Sequence, residues 1–195
     1  MTRLLLIGPP GAGKGTQASS LAQYFGIPAI STGDIFRANV KNETELGIQA
    51  KGYMDRGEYV PDSLTNALVK DRISQPDAQK GFLLDGYPRT IDQVEQLDGF
   101  LAQMNQRLDV VVQLTADTDE LVRRLLQRSQ EQGRADDTPD VIRKRQGVYD
   151  EQTAVLIDIY NARSLVARID GLGQVHEVTG RIIEALEARG LTPDA

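Results

Sequence analysis

Four glycines and a lysine lie within eight residues, Gly8-Pro9-Pro10-Gly11-Ala12-Gly13-Lys14-Gly15, and the hydroxyl of Thr16 follows. Glycines let a backbone curl until several N–H groups point at one spot, and a lysine beside them adds a mobile cation. That is chemistry for holding a polyphosphate, with Gly11, Ala12, Gly13, Lys14, Gly15 and Thr16 as the contacting residues. The context agrees. The apolar run Arg3-Leu4-Leu5-Leu6-Ile7 stops at the turn and a helical pattern over residues 14–24 starts at once. The new helix therefore adds its unpaired N–H groups and positive dipole end. A plain strand-to-helix turn needs one or two glycines, not four with a lysine at a fixed offset. In the generic phosphate-binding loop the hydroxyl directly follows the lysine; here Gly15 holds that place and Thr16 supplies the hydroxyl. The shift disfavours a switch GTPase or a motor ATPase and favours a small kinase.

At 195 residues the chain suits one domain with a full core and small mobile inserts. A net charge of −6 argues against a general nucleic-acid coat, so an anionic small ligand needs local clusters of arginine, and their positions become informative. There is no cysteine, hence no disulfide framework, thiolate metal site or thiol nucleophile. No apolar run approaches ~20 residues, and the N-terminal run is too short for a signal segment, which makes the cytoplasm the expected compartment.

Strand and helix patterns alternate, as in an α/β fold with a parallel sheet. Short strands are expected at residues 28–30, 81–85, 110–114 and 165–169 besides the first. Five strands with helices between them make a doubly wound parallel sheet, whose ligand site lies beyond the strand carboxyl ends. Residues 34–40 and 44–55 read as two modest helices split by polar Lys41-Asn42-Glu43, a small insert outside the main packing. Leu64, Leu68, Val69 and Ile73 stand at helical spacing after Pro61-Asp62. Pro88 keeps Gly86-Tyr87-Pro88-Arg89 a turn, and a helix follows from Thr90. Residues 119–128 read as helix and 131–137 as a polar loop. Thr138-Pro139 opens a helix extending towards Asn161, and residues 175–189 form a closing amphipathic helix.

Four segments occur in one order: residues 8–16, Ser31-Thr32-Gly33-Asp34-Ile35-Phe36-Arg37, Phe82-Leu83-Leu84-Asp85-Gly86-Tyr87-Pro88-Arg89 with Gln93, and Gly133-Arg134-Ala135-Asp136-Asp137. On these the chain resembles the adenylate kinase family, over nearly its whole length, with the D-G-[FY]-P-R turn as the most specific element. The resemblance implies a P-loop NTPase type of sheet in a single domain, 1–195, with an AMP-binding insert at 31–60 and a short lid at 129–138. It implies the reaction Mg·ATP + AMP ⇌ 2 ADP, by in-line displacement without a covalent intermediate, serving adenine nucleotide homeostasis. It further implies a cytoplasmic monomer whose partners are ATP, AMP and ADP, with no nucleic acid or membrane.

The resemblance also distributes roles. Arg37 and Arg89 hold the AMP phosphate, where a guanidinium fork grips phosphate oxygens as lysine cannot. Thr32 and Gln93 address the adenine, and the Gln93 amide offers one donor and one acceptor group to a base edge. Glu58, Tyr59 and Val60 form a backbone contact strip along AMP whose side chains need carry no meaning, and Gly86, Tyr87 and Pro88 complete that side. Arg124 and Arg128, four apart on one helix, share a face. With Arg134 and Arg145 they surround the transferring phosphoryl group, Arg128 mainly on ATP, and Arg134 and Arg145 also on AMP. Asp85 is the acidic partner of the magnesium water shell. Gly173 gives a backbone contact to the ATP adenine. Asp136 and Asp137 either pin arginines or cap a helix. Four arginines aimed at one point repel each other, which favours a lid that is open when empty and closed when filled. Arg123, Arg143 and Lys144 match no site position and read as solvated helix faces.

An AMP phosphate is already an anionic nucleophile, so no general base is required. The single histidine, His176, lies far along the chain from every motif and reads as structural. Only residues 130–137 separate the flanking helices, too few for a β-rich lid, and a four-cysteine zinc lid is excluded. Two other readings stand beside this one. A UMP/CMP-type kinase shares nearly all the phosphate-handling residues, but related pyrimidine kinases tend to carry asparagine where Gln93 stands. A non-catalytic nucleotide-dependent switch has no use for Arg37 and Arg89.

Overall fold

The computed structural model describes residues 1–193. Its strands are β1 (Thr2–Ile7), β2 (Ala29–Ser31), β3 (Gly81–Asp85), β4 (Val110–Thr115) and β5 (Val166–Asp170). Between and after them run helices α1 (Lys14–Phe25), α2 (Thr32–Lys41), α3 (Glu45–Asp55), α4 (Asp62–Ile73), α5 (Ile91–Gln103), α6 (Thr118–Gln132), α7 (Pro139–Val148), α8 (Leu156–Ala162) and α9 (Val175–Glu187). The sheet is wholly parallel, in the order β2-β3-β1-β4-β5. The five-stranded doubly wound sheet expected from the alternating pattern is therefore present.

Successive side chains on a strand point to opposite faces, and β1 divides the core accordingly. Leu4 and Leu6 pack with Leu21 and Phe25 of α1 and Ile182 of α9. Leu5 and Ile7 pack on the other face with Val69 of α4, Leu97 of α5 and Tyr160 of α8. Cover on both faces is why β1, β3 and β4 are continuous apolar runs instead of alternating ones. Since β1 lies between β3 and β4, the loop after β1 and the turn after β3 emerge side by side at the carboxyl edge. Among the described residues no helix is long and apolar enough to cross a membrane.

Helices α2 and α3 form a satellite with a small core of its own, Phe36, Ala50 and Val60, against which Leu64 and Leu68 of α4 pack. Each starts at a hydroxyl cap: Ser31 accepts from the Asp34 N–H at 3.2 Å, and Thr44 from the Gly47 N–H at 3.0 Å. Gly47 is buried where the two helices meet.

Several boundaries shift by one or two residues, and two larger differences from the sequence reading lie near the site. Helix α6 runs to Gln132, not Arg128, because its stop signal is the left-handed Gly133, whose N–H bonds the Ser129 carbonyl at 3.0 Å. The connection to α7 shrinks to residues 133–138 and contains a 3-10 turn, Ala135–Asp137. The helix opened by Pro139 is interrupted by a π turn at Tyr149–Thr153, with the Ala154 N–H bonded to the Tyr149 carbonyl at 2.9 Å. A 3.6-residue apolar pattern does not register a single-turn shift to i→i+5 hydrogen bonding.

A β-carbon added at Gly47 would lie 2.1 Å from the Asn39 carbonyl oxygen, so the backbone itself would have to move. Gly47→Ala is expected to destabilise the α2–α3 satellite by about 1–3 kcal/mol. Amide exchange should accelerate across residues 32–55 while the amides of β1 and β4 keep their protection.

Candidate active site

The glycine-rich loop leaves β1 and reaches α1 through Gly13, which adopts φ 91°, a conformation that side-chain-bearing residues rarely take. Lys14 folds back over the loop, its Nζ donating to the Gly8 carbonyl at 2.8 Å and the Pro9 carbonyl at 3.2 Å. Burial pushes the Lys14 amine down to about 8; Asp85 opposes this, while Arg89, Arg145 and Arg128 add to it. Asp85 ends β3 in register with Leu6 and is buried beside the loop. No group of three histidine, cysteine or carboxylate side chains among the described residues is arranged to hold a metal ion by itself. Asp85 with the Thr16 hydroxyl, however, borders the same cavity as the loop. One carboxylate beside a phosphate site suits magnesium, which keeps much of its water and takes other oxygens from the phosphates.

The turn after β3 is built around Gly86, at φ 85°. A β-carbon there would lie 2.8 Å from the Arg89 guanidinium and 2.9 Å from Thr32 Oγ1, so glycine is what lets Arg89 fold back. Thr32 Oγ1 donates to the Gly86 carbonyl at 3.0 Å, tying the start of α2 to this turn. Gln93 is 2% exposed and held at both ends: its Oε1 accepts from the Arg89 N–H at 2.7 Å, and its Nε2 donates to Asp62 Oδ1 at 2.8 Å. An N–H can only donate and a carboxylate only accept, so the amide has one allowed orientation. Thr90 Oγ1 also donates to the Asp62 carboxylate. The Tyr87 side chain departs from its neighbours and turns into the core, where its hydroxyl donates to Asn66 Oδ1 at 2.8 Å.

Four arginines gather from α6, the 133–138 connection and α7. Arg124 donates to Glu120 Oε1 at 2.9 Å and to the Gly171 carbonyl at 3.3 Å. Arg128 grips Asp137 with a two-pronged fork at 2.6 and 2.7 Å, and Arg145 donates to the same carboxylate at 2.6 Å. Arg134 makes a similar fork on Asp136 at 2.9 and 2.6 Å. Arg37, paired with Asp34, also comes within 4.0 Å of Asp136. The repulsion expected among these arginines is thus answered inside the protein by Glu120, Asp136 and Asp137. Of the two roles open to these aspartates, pinning arginines is the one seen, while Thr138 caps α7 without a side-chain bond. Burial alone would raise the Asp136 carboxyl, but the hydrogen bond from Arg134 and the charges of Arg145, Arg134 and Arg37 bring it down to about 2. Burial likewise lowers the Arg145 guanidinium to about 10, against the pull of Asp136 and Asp137, so it stays charged at neutral pH.

Two cavities open at the carboxyl edge. Thr32, Glu58, Tyr59, Val60, Gly86, Pro88 and Gln93 line one. Gly11, Ala12, Gly13, Gly15, Thr16, Arg124, Arg128, Arg134 and Gly173 line the other. Lys14, Arg37, Arg89 and Arg145 belong to both and form the wall between them. The site residues assigned from sequence therefore all line these cavities except Tyr87.

Other residues take parts that sequence reasoning had not allotted. Arg123, read as solvated, pairs with Glu120 and borders the loop cavity. Lys144, read likewise, pairs with Glu58 at 3.5 Å and so links α7 to the end of the satellite. All three, with Arg143 paired to Asp140, are exposed as expected of solvated helix faces. His176 is exposed on the first turn of α9, but that turn is close to the loop in space: Val175 accepts from Gln17 of α1 at 3.1 Å. Asp62, Tyr149 and Thr153 also went unmarked. Asp62 had a legible signal as the first residue of a helix after proline, though nothing local pointed it at Gln93.

The model of a protein family described as adenylate kinase matches residues 6–165. An adenylate kinase of a Nocardioides species is 64% identical over 185 residues, which covers 95% of this chain and 97% of the relative. One from Kocuria rhizophila is 62% identical over 187 residues, covering 96% of this chain and all of the relative. One from Leifsonia xyli is 58% identical over 190 residues, covering 97% and 96%. A phosphate loop and an arginine-walled second cavity, joined to similarity of this extent, mean that the chain belongs to the adenylate kinase family.

Proposed function

We propose that the protein transfers the terminal phosphoryl group of ATP to AMP, reversibly, giving two ADP. The observation that carries this reading is the shared wall: Lys14, Arg37, Arg89 and Arg145 face both cavities. A donor polyphosphate on the loop and an acceptor phosphate beyond that wall meet across a set of cations. An oxygen of the AMP phosphate attacks the γ-phosphorus while the bond to the β–γ bridging oxygen breaks, in line. The nucleophile is already anionic, so no side chain has to remove a proton. What the protein supplies is alignment and preorganised positive charge along the path of the moving phosphoryl group.

On the donor side, residues 11–16 serve the phosphates, Arg124 and Arg128 the outer oxygens, and Gly173 the base. On the acceptor side, Arg37, Arg89 and Arg145 serve the phosphate, with Arg134 joining as the lid residues 129–138 settle over the site. Thr32, Gln93, the Gly86–Pro88 turn and the backbone of residues 58–60 serve the nucleoside. The insert is residues 31–60. Asp85 would hold magnesium through its water shell, and the ion, when bound with ATP, would supply neutralisation of the phosphate charge. We assign the protein to the cytoplasm as a monomer acting on free nucleotides.

Gln93 supports adenine over other bases. With its orientation set by Arg89 and Asp62, it keeps one N–H and one oxygen lone pair. The adenine edge offers an N6–H donor beside the N1 acceptor, whereas guanine and uracil present the reverse order. Cytosine has the adenine order but is too short to fill the same cavity.

ADP formation from ATP with AMP, GMP, CMP or UMP tests the reading. AMP should be strongly preferred; preference for a pyrimidine monophosphate would overturn the substrate, and no turnover with any of them would overturn the enzyme. Arg89→Ala should raise KM for AMP far more than KM for ATP, and equal loss of both would show Arg89 to be misassigned.

Lys14 adds a pH dependence. Below about 8 its amine is charged, and above that value the free protein loses the cation. A bound polyphosphate favours the charged form, so ATP affinity should fall as pH rises through about 8. Calorimetry at that pH, in buffers of different ionisation heat, should show net proton uptake on ATP binding. Lys14→Arg, which remains charged, should abolish the uptake.

A further inference from the structure

Most of the arginines around the two cavities rest on a carboxylate. Arg37 has Asp34, Arg124 has Glu120, Arg128 and Arg145 have Asp137, and Arg134 has Asp136. Arg89 does not: among the described residues no carboxylate pairs with it, and its guanidinium carbon instead lies 5.2 Å above the centre of the Tyr59 ring. The difference matters for a group that is to bind phosphate. A carboxylate partner occupies one edge of the guanidinium fork and competes with the incoming anion. An aromatic face attracts the cation through its quadrupole and leaves every N–H free.

The Tyr59 ring is itself fixed. Its hydroxyl is 2.6 Å from Thr153 Oγ1, and Thr153 Oγ1 donates to the Arg89 carbonyl at 2.8 Å. Thr153 has a single hydroxyl proton, which is spent on Arg89, so Tyr59 is the donor in the first bond. Thr153 is 3% exposed and stands on the π turn that interrupts the helix after α7. The three groups close a loop: Tyr59 lies under the head of Arg89 and, through Thr153, is bonded to its backbone. Tyr59 belongs to the strip that joins α3 to α4, and Glu58 beside it is paired with Lys144 of α7. The side chains of this strip, expected to be silent, therefore connect the satellite, the lid-bearing helix and the turn after β3.

We propose that Tyr59 and Thr153 are positioning residues for the acceptor phosphate, holding Arg89 in place by a ring and a hydrogen-bond relay that consume none of its donors. The inference rests on the reading of Arg89 as an acceptor-phosphate ligand. It also gives the π turn a purpose: the turn carries the buried Thr153 that bonds both Tyr59 and Arg89.

The test is initial-rate kinetics with ATP and AMP varied independently. Tyr59→Leu removes the ring and should raise KM for AMP by about three- to thirtyfold, the span of a cation–π contact, with KM for ATP within twofold of wild type. Tyr59→Phe keeps the ring and should recover most of that loss, while Thr153→Val should show a smaller rise confined to AMP. In the Arg89→Ala background, Tyr59→Leu should have no further effect on KM for AMP. If Tyr59→Leu leaves KM for AMP within twofold, or raises both KM values equally, the proposal is wrong. Should Tyr59→Leu fail to fold, Tyr59→Phe and Thr153→Val decide, and an unchanged KM for AMP in both overturns it. A wild-type protein that does not use AMP at all would instead remove the underlying reading of the site.

Discussion

Cations that must converge on one phosphoryl group repel one another, and the way the chain answers that repulsion shapes the whole site. Two unit charges ~6 Å apart at an effective dielectric of ~20 interact by roughly 3 kcal/mol, so a cluster of arginines cannot simply be left facing a common point. The answer is a pair of adjacent carboxylates. Asp137, fully buried, takes the fork of Arg128 and one donor of Arg145, and Asp136 takes the fork of Arg134. These aspartates occupy the short connection between α6 and α7, which sets where the arginines of both helices meet. Their pairing also makes the arginines exchangeable partners: a phosphate anion competes for donors already turned towards negative charge.

Pairing of this kind grades the cations around the site. Those of the lid are held by carboxylates, which a polyphosphate can replace or share. Lys14 lies on backbone carbonyls and not on a carboxylate, and burial lowers its pKa although Asp85 opposes the shift. Arg89 lies on an aromatic face and has no carboxylate to give up. Of the four cations in the wall between the cavities, Lys14 and Arg89 are thus uncommitted to a protein carboxylate, while Arg37 and Arg145 are paired with Asp34 and Asp137.

The sheet makes these distances possible. A parallel order with β1 between β3 and β4 brings the glycine-rich loop and the Gly86 turn to the same edge, though some seventy residues separate them in the chain. The satellite joins the main body through the apolar side chains of Ile35, Leu64 and Leu68, and the polar pair of Lys144 with Glu58 links it to α7.

The sequence by itself determined the elements and the chemistry. Continuous apolar runs dictated buried strands, glycines with a lysine dictated an anion-binding loop, and the spacing of Arg124 and Arg128 put both on one helical face. These features are local, because they depend on backbone freedom, side-chain type and periodicity over a few residues. Tertiary structure decided how the charges are balanced and which neutral side chains serve them. Asp62 orients Gln93 from 31 residues away, and Thr153 bonds Arg89 from 64. The π turn that carries Thr153, the inward turn of Tyr87 and the proximity of α9 to the loop likewise left no local trace. A hydrogen bond or a cation over a ring depends on directions in space between distant segments, and residue type constrains those directions only once the sheet has brought the segments together.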